Sequence, residues 1–242
     1  MPGVASLDTV LRNHGPKNIA DPNATWGATE GNPIWEEMRD IALMTGPLFL
    51  LNVTLNEQRQ LTGVFAGDML AAHQAGREFV RRSAMQVVPH LYEVVVTTNS
   101  GYPLDLNLYQ GVKGMSAGAR ILKPGGLLVL ACECRDGVPA GSPYEKLLRS
   151  GRSTEEVLAR MLNASDVLPE QWQAQLQALV QRRAEVRVYS SLPDETLAAC
   201  HLKSCRDISR AVKERLEQAG PGCRLAVLPQ GPLTIPYLTP SA

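Results

Sequence analysis

The sequence predicts an α/β fold, a mostly parallel sheet covered by helices, and three observations carry that expectation. After Pro47, short β-branched or Leu-rich runs alternate with longer stretches of helical periodicity, the pattern of strands buried beneath crossover helices. Most of those runs are bounded by Gly, Pro, Asn or Asp, which punctuate strands. The helical stretches open on recognisable caps, so their starts can be placed as well as their existence.

In chain order the strands are expected at Leu48 to Thr54, Gln60 to Phe65, Tyr92 to Thr97, Leu127 to Cys132, Val186 to Ser190 and Arg224 to Leu228, enough for one sheet. Helices are expected after Asn32-Pro33, with Ile34, Trp35, Met38 and Ile41 as the apolar positions, and after Asp68. Ser153 and Glu156 form a capping box ahead of Val157, Leu158 and Met161. A further helix begins near Asp207, carries Ile208, Ala211, Val212 and Leu216 on one stripe, and is closed by Gly220. Pro124-Gly125-Gly126 reads as a tight turn between helix and strand.

Residues 1–31 differ. After one short helical pattern, Leu7 to Leu11, they run through Gly, Pro, Asn and Asp with few apolar anchors, so this arm needs something to lie against. The expected division is therefore an N-terminal arm, 1–31, and an α/β domain, 32–242, with a further domain expected upstream of Met1.

Lys plus Arg and Asp plus Glu are both 24 in 242 residues, so no net field attracts nucleic acid or an anionic membrane. No apolar stretch approaches the length of a membrane span and no basic-then-apolar leader opens the chain, which makes a cytoplasmic location the expectation. The five cysteines have no C-x-x-C pairing and fit reduced thiols better than a disulfide frame or a zinc site.

The densest polar cluster is Thr97-Thr98-Asn99-Ser100-Gly101-Tyr102-Pro103-Leu104-Asp105, between an apolar strand and a helix. Ligands of open α/β sheets sit beyond the carboxyl ends of strands, so this loop is a candidate site; an ordinary loop capped by Asp105 or Asn107 is the plainer reading. On the following helix Leu108, Val112, Met115, Ala119 and Leu122 read as the buried stripe, with Tyr109, Gln110 and Lys113 on an adjacent arc. A lysine between a phenol and an amide suits a carboxylate, although a solvated helix face is the commoner use of such spacing. His14 ends the first helical pattern and is followed at once by Gly15-Pro16, which places its ring near a helix end where a metal or anion can reach it. No second ligand in this chain is evident, so any metal on His14 takes its other donors from elsewhere. His73, His90 and His201 suit packing or surface roles. Trp172 lies with Leu176, Leu179 and Val180 at core spacing, and core packing is its default.

Leu122-Lys123-Pro124-Gly125-Gly126 with the run to Leu130 resembles the late turn-and-strand signature of S-adenosylmethionine methyltransferases, which is the alternative reading; the early glycine-rich loop of such enzymes is missing. A third reading is a non-catalytic small-acid binder or partner subunit.

A broader match runs from Pro2-Gly3-Val4-Ala5-Ser6 and His14 through Glu30-Gly31-Asn32-Pro33, Leu51-Asn52-Val53 and Gly63-Val64-Phe65-Ala66-Gly67-Asp68. It continues to Gly101-Tyr102-Pro103-Leu104-Asp105 and Tyr109-Gln110-Gly111-Val112-Lys113-Gly114-Met115. Together these residues resemble the C-terminal part of the nickel-dependent lactate racemase family. The resemblance implies a two-domain enzyme that interconverts D- and L-2-hydroxy acids at a site between its domains. The implied cofactor is a nickel pincer nucleotide derived from a pyridinium mononucleotide. It implies His14 as the nickel ligand, Lys113 as a holder of the substrate carboxylate, and Tyr109, Gln110 and Trp172 as lining of the same pocket. The two acid/base histidines, a carboxylate-binding arginine and the cofactor-anchoring lysine are implied ahead of Met1. By resemblance, then, this chain contributes no acid/base residue and does not turn over alone.

Overall fold

The computed structural model describes residues 4–238; Pro2 and Gly3 of the matched N-terminal motif lie outside them. The chain opens with two short helices, α1 (Leu7–Asn13) and α2 (Pro16–Ile19), followed by α3 (Pro33–Leu43). Next come β1 (Phe49–Leu55), β2 (Leu61–Asp68), α4 (Met69–Ala84) and β3 (Met85–Val88). The central region is β4 (Tyr92–Thr98), α5 (Leu108–Ala119), β5 (Leu122–Ala131), α6 (Pro143–Leu148), α7 (Thr154–Asn163), α8 (Gln171–Arg183) and β6 (Glu185–Tyr189). It ends with α9 (Asp194–Ala199), β7 (Lys203–Ser204), α10 (Ile208–Ala219), β8 (Leu225–Leu228) and β9 (Ile235–Leu238).

Five strands form a parallel sheet in the order β7-β6-β5-β4-β8. Because the pleat sends successive side chains to opposite faces, β5 divides its apolar residues between two cores. Leu128 and Leu130, with Val95 of β4, pack under α5 and α8; Leu127 and Val129, with Val94, pack under α10 through Ala211, Ile208, Val212 and Leu216. Both faces are covered, which is why β4 and β5 read as continuous apolar runs.

The expected caps are the actual caps. Asn32 accepts from the backbone N–H groups of Ile34 and Trp35, Asp68 from Leu70 and Ala71, Ser153 from Glu156 and Asp207 from Arg210. Asn107, rather than Asp105, caps α5 by accepting from Gln110 N at 3.0 Å. Gly220 closes α10 at φ +81°.

Three sequence expectations need correction. The first two expected strands do not join the main sheet; β1 and β2 make a separate antiparallel hairpin, because their own turn pairs them before any crossover can form. Three strands were not anticipated: β7 is two residues long, and β3 and β9 pair in parallel although far apart in the chain, where local periodicity carries no signal. Pro124-Gly125-Gly126 is not a turn between helix and strand. The helix has already ended at Ala119, and the segment lies inside β5, where Gly125 at φ +73° accompanies a register shift against β4. Leu122 therefore packs from the strand rather than from the α5 stripe.

The N-terminal arm lies against this chain's own helices. Asn13 Nδ2 donates to Ile34 O at 3.1 Å and to Glu37 Oε2 at 2.8 Å, Arg12 pairs with Glu37 at 2.7 Å, and Gln175 Nε2 of α8 donates to Pro16 O at 2.8 Å. The arm is pinned by hydrogen bonds because it has too few apolar residues to be pinned by burial.

Candidate functional site

The loop after β4 is built to present α5. Asn99 is buried; its Oδ1 accepts from Gly114 N at 3.0 Å and its Nδ2 donates to Leu104 O, which ties both ends of the loop to the helix. Thr98 Oγ1 accepts from Ser100 N at 2.9 Å and donates to Pro229 O at 2.6 Å, joining the same loop to the end of β8. Helix and strand touch so closely at Gly114 that a Cβ there would come within 2.4 Å of Thr98 O. Only glycine permits that approach.

On the helix so placed, Lys113 is exposed and its Nζ donates to Gln110 Oε1 at 2.7 Å. That leaves two ammonium hydrogens for an outside acceptor. One turn earlier, Tyr109 is half-buried between α5 and α8. Its hydroxyl oxygen accepts from Trp172 Nε1 at 3.2 Å, and its carbonyl accepts from Gln173 Nε2 at 2.7 Å. Burial pushes the Tyr109 phenol above its ordinary pKa, with the Trp172 N–H opposing, so the phenol keeps its proton as a donor.

His14 meets this group from the arm. It is the C-cap of α1, its ring lies edge-on to Trp172 at 5.4 Å between centroids, and its Nδ1 is buried without a hydrogen-bond partner. Burial lowers its pKa, opposed by a backbone contact with Val10, and so favours the neutral imidazole, the form in which histidine binds a metal. A neutral imidazole at a helix end fits a single-donor ligand for a borderline metal such as nickel. Among the described residues no cluster of three or more His, Cys, Asp or Glu is arranged to hold a metal.

The structure thus joins His14, Trp172 and Tyr109 in one contact chain and sets the Gln110–Lys113 pair on the next turn of the same helix. Gln173 and Gln175 were missed by the sequence reading, although they hold Tyr109 and the arm respectively. The available signal was glutamine at every second position from 171 to 177, and all four are buried. The other histidines lie apart: His73 stacks on Trp35, His90 lies against Tyr92, and the His201 Nε2 contacts Leu148 O at 3.0 Å.

A crevice of about 20 Å³ lies beside His14, between α1 and α3. A cavity of about 480 Å³ at the carboxyl ends of β4, β5 and β6 is lined by Thr98, Asp105, Glu133 and Ser190, with none of the five candidate residues, and one of about 710 Å³ lies at α4 and the hairpin.

A family model described as the lactate racemase C-terminal domain matches residues 87–235. The chain belongs to the lactate racemase family. It is 32% identical over 234 residues to a lactate racemase from Thermoanaerobacterium thermosaccharolyticum, a match covering 96% of this chain and 54% of that protein. It is 33% identical over 235 residues to a lactate racemase from Lactiplantibacillus plantarum, covering 96% and 55%. The apoprotein structure of the Thermoanaerobacterium lactate racemase superposes with a TM-score of 0.90 over 98% of this chain and 57% of that one. A Thermotoga maritima protein, 13% identical with a TM-score of 0.59, shares the fold. The chain therefore spans little more than half the length of the lactate racemases it matches. No helix among the described residues is long and apolar enough to cross a membrane.

Proposed function

We propose that this chain forms one wall of a 2-hydroxyacid racemase site, the facing wall belonging to the part of lactate racemases that it does not span. The observation that carries the reading is the contact chain from the His14 imidazole through Trp172 to Tyr109, beside an exposed Lys113 steadied by Gln110.

Each residue then has a task suited to its geometry. His14 would hold the nickel of a nickel pincer nucleotide through a neutral imidazole nitrogen, and that cofactor would supply a hydride acceptor and donor for C2 of a 2-hydroxy acid. Lys113 receives the substrate carboxylate as a point charge, its orientation set by Gln110. Tyr109 donates its phenolic proton to the same ligand, and Trp172 sets both the phenol and the His14 ring while covering the site from water. This wall binds and orients; the proton transfers at the substrate hydroxyl fall to histidines of the facing half, so the chain by itself does not racemise. The methyltransferase alternative has lost its motif, since Lys123–Gly126 is strand, and the family membership stands against it.

The test is to produce the chain together with the N-terminal half of a lactate racemase and the cofactor-synthesis enzymes, then measure nickel content and D/L-lactate interconversion. Stoichiometric nickel is expected, lost with His14→Ala; with Lys113→Ala nickel should remain while interconversion falls at least ~100-fold, the scale of losing a charged partner of the substrate carboxylate. Nickel-loaded protein whose activity survives Lys113→Ala would overturn the substrate role. Turnover by the chain alone would overturn its dependence on a second half.

A further inference from the structure

Trp172 and Gln175 stand three residues apart on α8, so their side chains share one face of the helix. Trp172 packs T-shaped on the His14 ring, and Gln175 Nε2 donates to Pro16 O at 2.8 Å, two residues further along the arm. Among the described residues this is the one hydrogen bond that joins 7–20 to the α5–α8 wall; the ties from Asn13 and Arg12 run instead to α3. The junction offers few other handles. Proline has no N–H, Gly15 is buried and has no side chain, and the Pro16 carbonyl already accepts from Ala20 N at 3.0 Å as α2 begins. Its second lone pair goes to Gln175.

Stability alone does not account for an amide at this place. Gln175 is fully buried, and its Oε1 has no partner among the described residues. An unpaired buried acceptor costs at least as much as one neutral hydrogen bond returns, so a methionine or leucine would serve the packing as well. What the amide adds is direction: ring packing lets an imidazole slide, whereas a hydrogen bond from a helix locked into the core fixes the carbonyl it holds. α8 is locked in that way. Gln173 Nε2 donates to Tyr109 O at 2.7 Å, and Gln177 accepts from the Tyr144 hydroxyl at 2.6 Å and donates to Cys200 O at 3.0 Å. A metal ligand has to be held within about 0.5 Å of its productive place, by packing and by hydrogen bonds behind it. We infer that Gln175 is a positioning residue for the nickel ligand, its amide holding the Pro16 carbonyl so that the His14 imidazole is presented at a fixed place beside Trp172. The inference rests on the reading of His14 as the nickel donor and adds what keeps that donor in place.

The test compares two buried glutamines of α8. Gln175→Met keeps the length of the side chain and removes the donor to the arm; Gln177→Met does the same to bonds that run to Tyr144 and Cys200, away from the arm. Both variant chains are first studied alone: denaturation ranks their stability, and NMR reads the ring-to-ring contact of His14 with Trp172 and the amide exchange of 8–20. Each is then produced with the N-terminal half of the Thermoanaerobacterium lactate racemase and the cofactor-synthesis enzymes, and the nickel retained against a chelator is measured. Gln177→Met gives up more bonds and should be the less stable of the two, yet keep the ring contact and wild-type nickel. Gln175→Met should lose the ring contact, exchange faster over 8–20 and retain on the order of tenfold less nickel, the scale of removing a hydrogen bond behind a metal ligand. Gln175→Leu should behave alike, and stands in if the methionine variant does not fold. Nickel that follows stability in both variants, or a Gln175→Met chain with full nickel, would overturn the inference. Nickel retained by His14→Ala would overturn the nickel reading and the purpose given to Gln175 with it, while the free-chain measurements would still show whether Gln175 holds the arm.

Discussion

Trp172 is where the two sides of the candidate site meet, and its indole uses its two chemistries separately. The ring packs T-shaped against His14, while the N–H donates to the Tyr109 hydroxyl. Trp172→Phe keeps a ring toward His14 and removes only the donor. The expected cost is about 1 kcal/mol in chemical denaturation, the usual worth of one such hydrogen bond. Because that N–H opposes the effect of burial on Tyr109, its removal should raise the phenol's pKa further, and an ultraviolet tyrosinate titration would detect the change. An unchanged titration would mean that the bond does not hold in solution. At this scale the sequence was informative about side-chain direction. The Tyr109–Gln110–Lys113 arc follows from helical spacing alone, and His14 from its place before Gly15-Pro16. Trp172 was not separable from core by spacing, because Leu176, Leu179 and Val180 share its helix and only the tertiary contact with the arm distinguishes it.

Among the elements, helix starts were legible because a cap is a local event: Asn32, Asp68, Ser153 and Asp207 satisfy backbone donors two or three residues away. Strand partners were not, since alternation looks the same in a hairpin as in a sheet, and β3 finds β9 about 150 residues later. One side chain that does fix strand pairing is Glu93 on β4. It bonds Lys123 on β5 and accepts from Arg224 N, at the entrance to β8, at 2.7 Å, so a single carboxylate spans three neighbouring strands. The Lys123 ammonium, then the Arg224 N–H, hold it down to about 2 from an ordinary 4.5. A depressed carboxylate stabilises the fold above its unfolded pKa, and that stability is lost as pH falls through the folded value. Wild-type stability should therefore decline between about pH 4.5 and 2 more steeply than that of Glu93→Gln. Parallel slopes in acid-range denaturation would show that Glu93 is not bonded in this way.

For the whole molecule, the same contrast in burial predicts uneven stability. The five-stranded sheet has Val94, Val95 and Leu127–Leu130 fully buried between two helical layers, whereas the hairpin has one covered face and two open edges. Local opening free energy follows the apolar burial that must be undone, so amides of β4 and β5 should exchange only through global unfolding. Amides of β1 and β2 should exchange through a local opening several kcal/mol cheaper, since each fully buried Val or Leu contributes roughly 1.5–3 kcal/mol and the open face contributes little. Native-state hydrogen exchange on the full chain, read residue by residue at rising denaturant, separates the two behaviours. If β1 and β2 exchange as slowly as β5 and with the same denaturant dependence, the hairpin belongs to the same cooperative core as the sheet. If they open first, the hairpin is a separate and less stable layer, as its single covered face predicts.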